Sequence, residues 1–319
     1  SNLIYFGPGV HNLPNDTLFV PSGTTVYIDG GARVYGNIFT EGAHDVNIFG
    51  RGEVHPDGRG AGVWVRRSKN VRIDGIVVSQ LPIGQCDSVE LTNVKSISYY
   101  GWGDGMDVFS SSNVILDGVF CRNSDDCAAV YASTQGFKGG SNNVLVKNAT
   151  LWADVAHPIN IGGHGDPNGM DTVQNVTFRN IDILDQAEKQ IDYQGCLAIN
   201  PGDNTLVRNI TFENIRIEDF RNGQLVNFRI SFNPKYCVST GRGIQNVLVK
   251  DVTYNGSGEN LSIIAGYDEN HKISGIRFVN LVVNGRKITD DMPGKPKWYK
   301  TGDMAGIFVG EHVENLSFE

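Results

Sequence analysis

The sequence predicts an all-β chain folded as a single-stranded parallel β-helix, and three observations carry the prediction. A segment of the type Asn-Val-x-apolar recurs along the chain. It reads NVRIDGI from Asn70, NVKSISY from Asn93, NVILDGV from Asn113, NVLVKNA from Asn143, NVTFRNI from Asn175, NITFENI from Asn209, NVLVKDV from Asn246 and GIRFVNL from Gly275. A second ladder of short apolar strands lies between these segments. No window carries a strong helical period, whereas the alternation within each segment suits half-buried strands. Strand-only repeats rich in Gly, Asn and Asp read as a solenoid. The steps of 23, 20, 30, 32, 34, 37 and 29 positions are too unequal for propeller blades. They suit a β-helix, whose corner loops can differ in length.

Each element follows in order, within one domain spanning 1–319. Residues 1 to about 60 are strand-like and are expected to cap the first coils. The second ladder then runs VWVRRS, SVELTN, GMDVFSS (105–111), CAAVYAS (127–133), PINIGG (158–163), LAINPG (197–202), LVNFRIS (225–231), LSIIAGY (261–267) and GIFVGE (306–311). Residues 285–304 are the one long break in this ladder and read as a rim or C-terminal loop.

Composition narrows the partners. A net charge of −8, with no basic run or aromatic-basic interleaving, argues against nucleic acid. No apolar run is long enough to span a membrane and no signal segment is visible, so no membrane partner is expected. The five cysteines, Cys86, Cys121, Cys127, Cys196 and Cys237, have no zinc spacing and read as free core filler, with a Cys121–Cys127 disulfide as the alternative. No cofactor or metal is expected. Several Asn-x-Ser/Thr sequons are simply the repeat itself.

The chemistry lies in one column. Aligning the second ladder by inward residues sets Met106, Ala128, Ile159, Leu197 and Val226 level. Two positions earlier stand Asp104, Asp126 and His157, with Asp125 beside Asp126. Outward positions are Asp107, Asn160 and Asn227, then Tyr131, Asn200 and Arg229. With coils roughly 4.8 Å apart, these side chains form one groove floor. Clustered carboxylates raise each other's pKa, and such a cluster with a histidine is what acid–base cleavage of a glycosidic bond needs. Asp104, Asp125, Asp126 and His157 are therefore the catalytic candidates. Asp107, Tyr131, Asn160, Asn200, Asn227, Arg229 and Trp102 are the substrate-binding candidates, with Trp102 equally readable as core filler. His164 is a weaker rival to His157.

The run Asp104-Gly-Met-Asp107, then NVILDGV, then Asp125-Asp126-Cys-Ala-Ala, then His157-x-x-x-Ile-Gly resembles glycoside hydrolase family 28, the polygalacturonases. It also resembles family 49, the dextranases and isopullulanases. The resemblance implies a right-handed helix, and inversion with Asp125 as general acid, Asp104 and Asp126 activating water, and His157 supporting the acid. It further implies a polysaccharide or oligosaccharide substrate, and a secreted or periplasmic location. Polygalacturonases carry Arg-Ile-Lys where this chain has Ala198-Ile199-Asn200, which points to a pectin-related or neutral glycan rather than plain polygalacturonate. A polysaccharide lyase and a non-catalytic carbohydrate-binding or tailspike-like helix are the alternatives.

Overall fold

The computed structural model describes residues 2–258 and 260–319; Ser1 and Glu259 lie outside it. Its 28 strands form one continuous array, wound as a right-handed parallel β-helix. Every strand pairing is parallel except the hairpin of Lys272–Val283 with Arg286–Ile288. No α-helix occurs among the described residues, only the single-turn 3₁₀ segments Ile191–Tyr193 and Thr301–Met304.

Each coil crosses three faces. The site face stacks Val63–Arg66, Ile83–Gly84, Met106–Phe109, Ala128–Tyr131, Ile159–Ile161, Leu197–Ile199, Val226–Arg229, Ser262–Ala265 and Ile307–Val309. Its register sets Met106, Ala128, Ile159, Leu197 and Val226 level, as the inward-residue alignment has it. The second, asparagine face holds the recurring Asn-Val segments. The third returns the chain to the site face.

Why asparagine recurs is now physical. Asn70, Asn113, Asn143, Asn175, Asn209 and Asn246 sit at the corner entering the asparagine face with φ between 55° and 58°. Asparagine tolerates this left-handed conformation far better than most side chains. Gly275 takes the same place at φ 78°, which explains the lone glycine in the repeat. The amides also bond along the stack: Asn143 donates to Asn113 at 2.7 Å, and Asn209 to Asn175 at 3.3 Å. A second left-handed corner leaves this face, through Gly75, Gly118, Asn148, Asn180, Asn214, Asp251 and Asn280. The two corners stand five positions apart in every coil: 70 and 75, 113 and 118, 143 and 148, 175 and 180, 209 and 214, 246 and 251, 275 and 280.

This register corrects two readings of the repeat. Asn93 lies at the second corner, level with Gly75, and the first corner of its coil is Ser88, at φ 62°. The alternation around Asn93 matches the motif, but its place in the coil does not. The strand SVELTN accordingly belongs to the asparagine face, and Ile83–Gly84 supplies that coil's rung of the site face.

The interior is a set of apolar columns. Phe178, Phe212, Phe228, Phe278 and Phe318 stack with centroids 4.7–6.5 Å apart. Each buried ring contributes about 1.5–3 kcal/mol. All five cysteines are free thiols, four of them buried. Residues 2–60 are coils in register with those that follow, Asn2–Phe6 on Thr24–Ile28 and that strand on His44–Gly50. The 285–304 segment folds back as the hairpin and a 3₁₀ turn. It is not the one long break: 187–196 and 230–242 also leave the ladder, and both reach the site.

Candidate active site

The site face floors a cleft of about 1040 Å³. Loops that enter the face form one wall, with Tyr99 to Trp102, Asp125, Val155, Glu188 and Tyr193 among the lining residues. Loops that leave the face form the other, with Gln135, His164 and Ser231 to Cys237. The acidic residues stand where the entering loops meet the floor. Gly105 lets the chain pass there, because a Cβ at that position would run into Asn123 Oδ1 and the Cys127 carbonyl. Ala156, at φ 62°, turns the chain so that His157 faces Asp126.

Asp126 is buried and meets four donors. The backbone N–H of His157 donates to its Oδ1 at 3.1 Å, and His157 Nδ1 lies 2.7 Å from the same oxygen. The Tyr131 hydroxyl donates to Oδ2 at 2.8 Å, and Asn160 Nδ2 to Oδ2 at 3.1 Å. Asn160 also donates to the Tyr131 oxygen, at 2.9 Å. Burial alone would push this carboxyl up. The adjacent His157 imidazole and the bonds from Tyr131 and Asn160 outweigh burial and hold it below the usual carboxylate range.

Its neighbours move the other way. Burial, then the charge of Asp126, pushes Asp125 up to about 7. Asp107, enclosed beneath the floor, is pushed by burial up to about 8. Asp104 is raised by burial and by the charge and hydrogen bond of Asp107. The pair Asp104–Asp107 thus keeps a proton near neutral pH. The hydrogen bond between them raises Asp104 and lowers Asp107, so the proton rests on Asp104, which donates to Asp107. Carboxylate oxygens of Asp104, Asp125 and Asp126 all lie within 4.8 Å of one another, which is close enough to hold a divalent cation. The donor chemistry fits a cation poorly, since Asp125 keeps its proton and the oxygens of Asp126 are already engaged.

A sequence model of the family described as glycosyl hydrolases family 28 matches residues 61–292, the stretch that carries every one of these groups. The chain belongs to that family. Among its relatives, a polygalacturonase of Juniperus ashei is 26% identical over 216 residues, which is 65% of this chain and 39% of that protein. A probable endo-xylogalacturonan hydrolase A of Neosartorya fischeri is 29% identical over 164 residues, 51% of this chain and 38% of that protein. The family 28 exopolygalacturonase of Yersinia enterocolitica superposes with a TM-score of 0.70 at 13% identity, covering 98% of this chain and 72% of that one. The chain spans between 39% and 55% of the length of the first three curated relatives it matches.

On this family 28 floor, most of the candidates read from the sequence converge. Asp104, Asp125, Asp126 and His157 meet at one point, with Asp107, Tyr131 and Asn160 packed around them. Asn200 and Arg229 line the far half of the cleft. Trp102 is 76% exposed on the wall, so it is not core filler. Asn227 does not line the cleft: it is buried under the 187–196 loop, donating to the Gln194 carbonyl and to Gln224 Oε1 at 2.9 Å each. The rival His164 packs edge-on against Tyr131, centroids 5.0 Å apart, and burial pushes its imidazole down.

The sequence reading missed the residues that the loops bring in: Glu188, Gln190, Asp192, Tyr193, Asn233, Lys235 and Tyr236. The buried Glu188 accepts the Ala156 N–H at 3.0 Å and so clamps the turn that presents His157. Arg229 pairs with Asp192 at 3.1 Å, and the Lys235 ammonium lies 5.7 and 5.1 Å from the rings of Tyr193 and Tyr236. One signal was available. The repeat lengthens to 34 and 37 residues across these two coils, and the surplus is the two loops.

Proposed function

We propose that this chain hydrolyses a glycosidic bond in a polysaccharide or oligosaccharide by an inverting acid–base mechanism. One observation carries the reading. Within a single acidic cluster Asp125 is pushed up to about 7, while Asp126 beside it is held ionised. Two carboxyls driven apart in this way are matched to opposite halves of acid–base chemistry. Asp125 delivers its proton to the leaving oxygen as the bond to the anomeric carbon breaks. Water held between Asp104 and Asp126 attacks that carbon from the opposite face and gives its proton to Asp126, the carboxylate of the cluster that is held ionised. The water oxygen ends on the new hemiacetal, and the Asp125 proton on the departing sugar.

Oxygens within 4.8 Å of one another fall near the spacing of retaining enzymes, about 5–5.5 Å between carboxyls. Against this, each Asp126 oxygen is tied to two donors, which holds the carboxylate back from the anomeric carbon and lets a water come to it instead. A water thus stands between the acids and the anomeric carbon, which favours inversion. NMR of the first-formed anomer tests it, and a product of unchanged configuration would mean a covalent intermediate.

The proposed substrate is a pectin-related or neutral glycan rather than plain polygalacturonate. The coil after His157 offers Ala198 and Asn200 where the resemblance calls for two cations. Two charge-assisted bonds to a uronate would each be worth roughly 1.5–3 kcal/mol. Arg229 lies one coil further on, and Asp192 already answers its charge. A relative named for xylogalacturonan, a decorated pectic polymer, falls within this proposal. Such polymers lie outside cells, where we place the enzyme. The test is release of reducing ends from a panel of pectic fragments and neutral α-glucans. Efficient cleavage of plain polygalacturonate that survives Arg229→Ala would sink the substrate assignment. No turnover of any glycan, or normal turnover by Asp125→Asn, would sink the hydrolase itself.

A further inference from the structure

The cleft is not symmetric along the helix axis. Toward the N-terminal coils Tyr99 and Trp102 are 82% and 76% exposed on one wall, and among the described residues no hydrogen bond, ion pair or ring contact ties that wall to the 133–140 loop opposite. Toward the C-terminal coils the walls meet. The 187–196 loop enters the site face from one side, and the 230–242 loop leaves it on the other. They join above the floor. Asn233 Nδ2 donates to the Tyr193 hydroxyl, and Lys235 Nζ to Gln190 Oε1 at 3.3 Å. The rings of Tyr193 and Tyr236 pack edge to face, centroids 5.0 Å apart. From the floor, Arg229 rises to Asp192. None of the residues lining the cleft comes from the next rungs, Ser262–Ala265 and Ile307–Val309. Hydrogen bonds, an ion pair and an aromatic contact therefore close one end of the groove, while the other end stays open.

We infer that the enzyme acts on chain ends: the bridge between the 187–196 and 230–242 loops stops the glycan, so that only its terminal residues reach beyond Asp125. The inference rests on the hydrolase reading and adds its mode of attack. The bridge stands over the rungs of Leu197 and Val226, one and two coils past that of His157. At the inter-strand spacing this leaves about 5–10 Å beyond the catalytic coils, the length of one or two pyranose rings. A polymer cannot thread through, so each cleavage releases a short fragment of fixed length. The remainder of the chain runs out past Trp102. Arg229 and Asn200 line the closed end and supply the polar groups for a terminal sugar.

The experiment follows products over time on whichever polymer the glycan panel identifies. A mono- or disaccharide as sole early product, with viscosity falling far more slowly than reducing ends accumulate, is the expected result. A spread of intermediate oligosaccharides from the first time point overturns the inference and leaves the hydrolase reading intact. Absence of turnover on every glycan overturns both. In the triple variant Tyr193→Ala, Asn233→Ala, Lys235→Ala, the walls lose their bridge. It should release longer fragments, at least tenfold more abundant than from the parent enzyme. An unchanged product size in a variant that melts like the parent also overturns the inference.

Discussion

Asp126 is the residue on which the chemistry turns, because its four donors decide which protons the cluster keeps. Each donor favours the ionised form. Removing one should raise its pKa, so Tyr131→Phe is expected to shift the acidic limb of the pH–rate profile upward and to lower kcat roughly tenfold. An unmoved limb would show that the hydroxyl serves packing alone. The basic limb belongs to Asp125, and activity should fall as pH passes about 7. Glu188 faces the same acid, and its charge adds to the upward push. Glu188→Gln keeps an acceptor for the Ala156 N–H but loses that charge, so the basic limb should move down. Asp125→Asn should cut kcat by roughly 10²–10⁴ with the fold intact. It also has a stability signature. Asp125 binds its proton more tightly in the fold than in the unfolded chain. Its favourable contribution is present below the unfolded pKa of about 3.9 and fades as pH rises to about 7. The variant avoids that loss, so its Tm relative to the parent should be higher at pH 8 than at pH 4.

Among the elements, the left-handed corners do the most to specify the coil. Asn209 stands at φ 56° and donates to Asn175. Asn209→Gly retains the backbone conformation and loses the side-chain bond, whereas Asn209→Val loses both. The left-handed region costs an ordinary side chain roughly 1–2 kcal/mol, and more for a β-branched one. Thermal melting should therefore rank the parent above Gly and Gly above Val. Equal melting of the two variants would remove the conformational argument. These corners are also why so much of the fold was legible. Asn113, Asn143, Asn175, Asn209 and Asn246 mark one corner per coil, and the alternation after each marks its strand. Asn93 misled because asparagine serves the second corner equally well, and a local motif carries no coil phase. The catalytic cluster was legible because register, once found, stacks Asp104, Asp126 and His157 by counting. The loop residues were not, since the contact of Tyr193 with Asn233 spans 40 positions and obeys no period. Asn227 is outward in the strand pattern, but a loop that the pattern does not describe lies over it.

For the whole molecule, length variation is confined to two of the three corners of each coil. The interval across the asparagine face is five positions throughout, while the coils grow from 18 residues, Asn70 to Ser88, to 37, Asn209 to Asn246. Inserting two residues between Asn209 and Asn214 should therefore break the amide stack and the inward Ile210 and Phe212 together, and lower Tm by many degrees. The same insertion in 133–140, on the cleft wall, should leave Tm within a few degrees of the parent. Similar penalties at both places would mean that the interval reflects history rather than mechanics. If it is mechanical, the molecule behaves as a ruler with adjustable jaws. The asparagine face keeps the pitch, and each rung carries its own spacer into the groove. The depth of bite on a polymer can then be reset by grafting a longer or shorter spacer onto one rung, without touching an acid, a core side chain or the pitch itself.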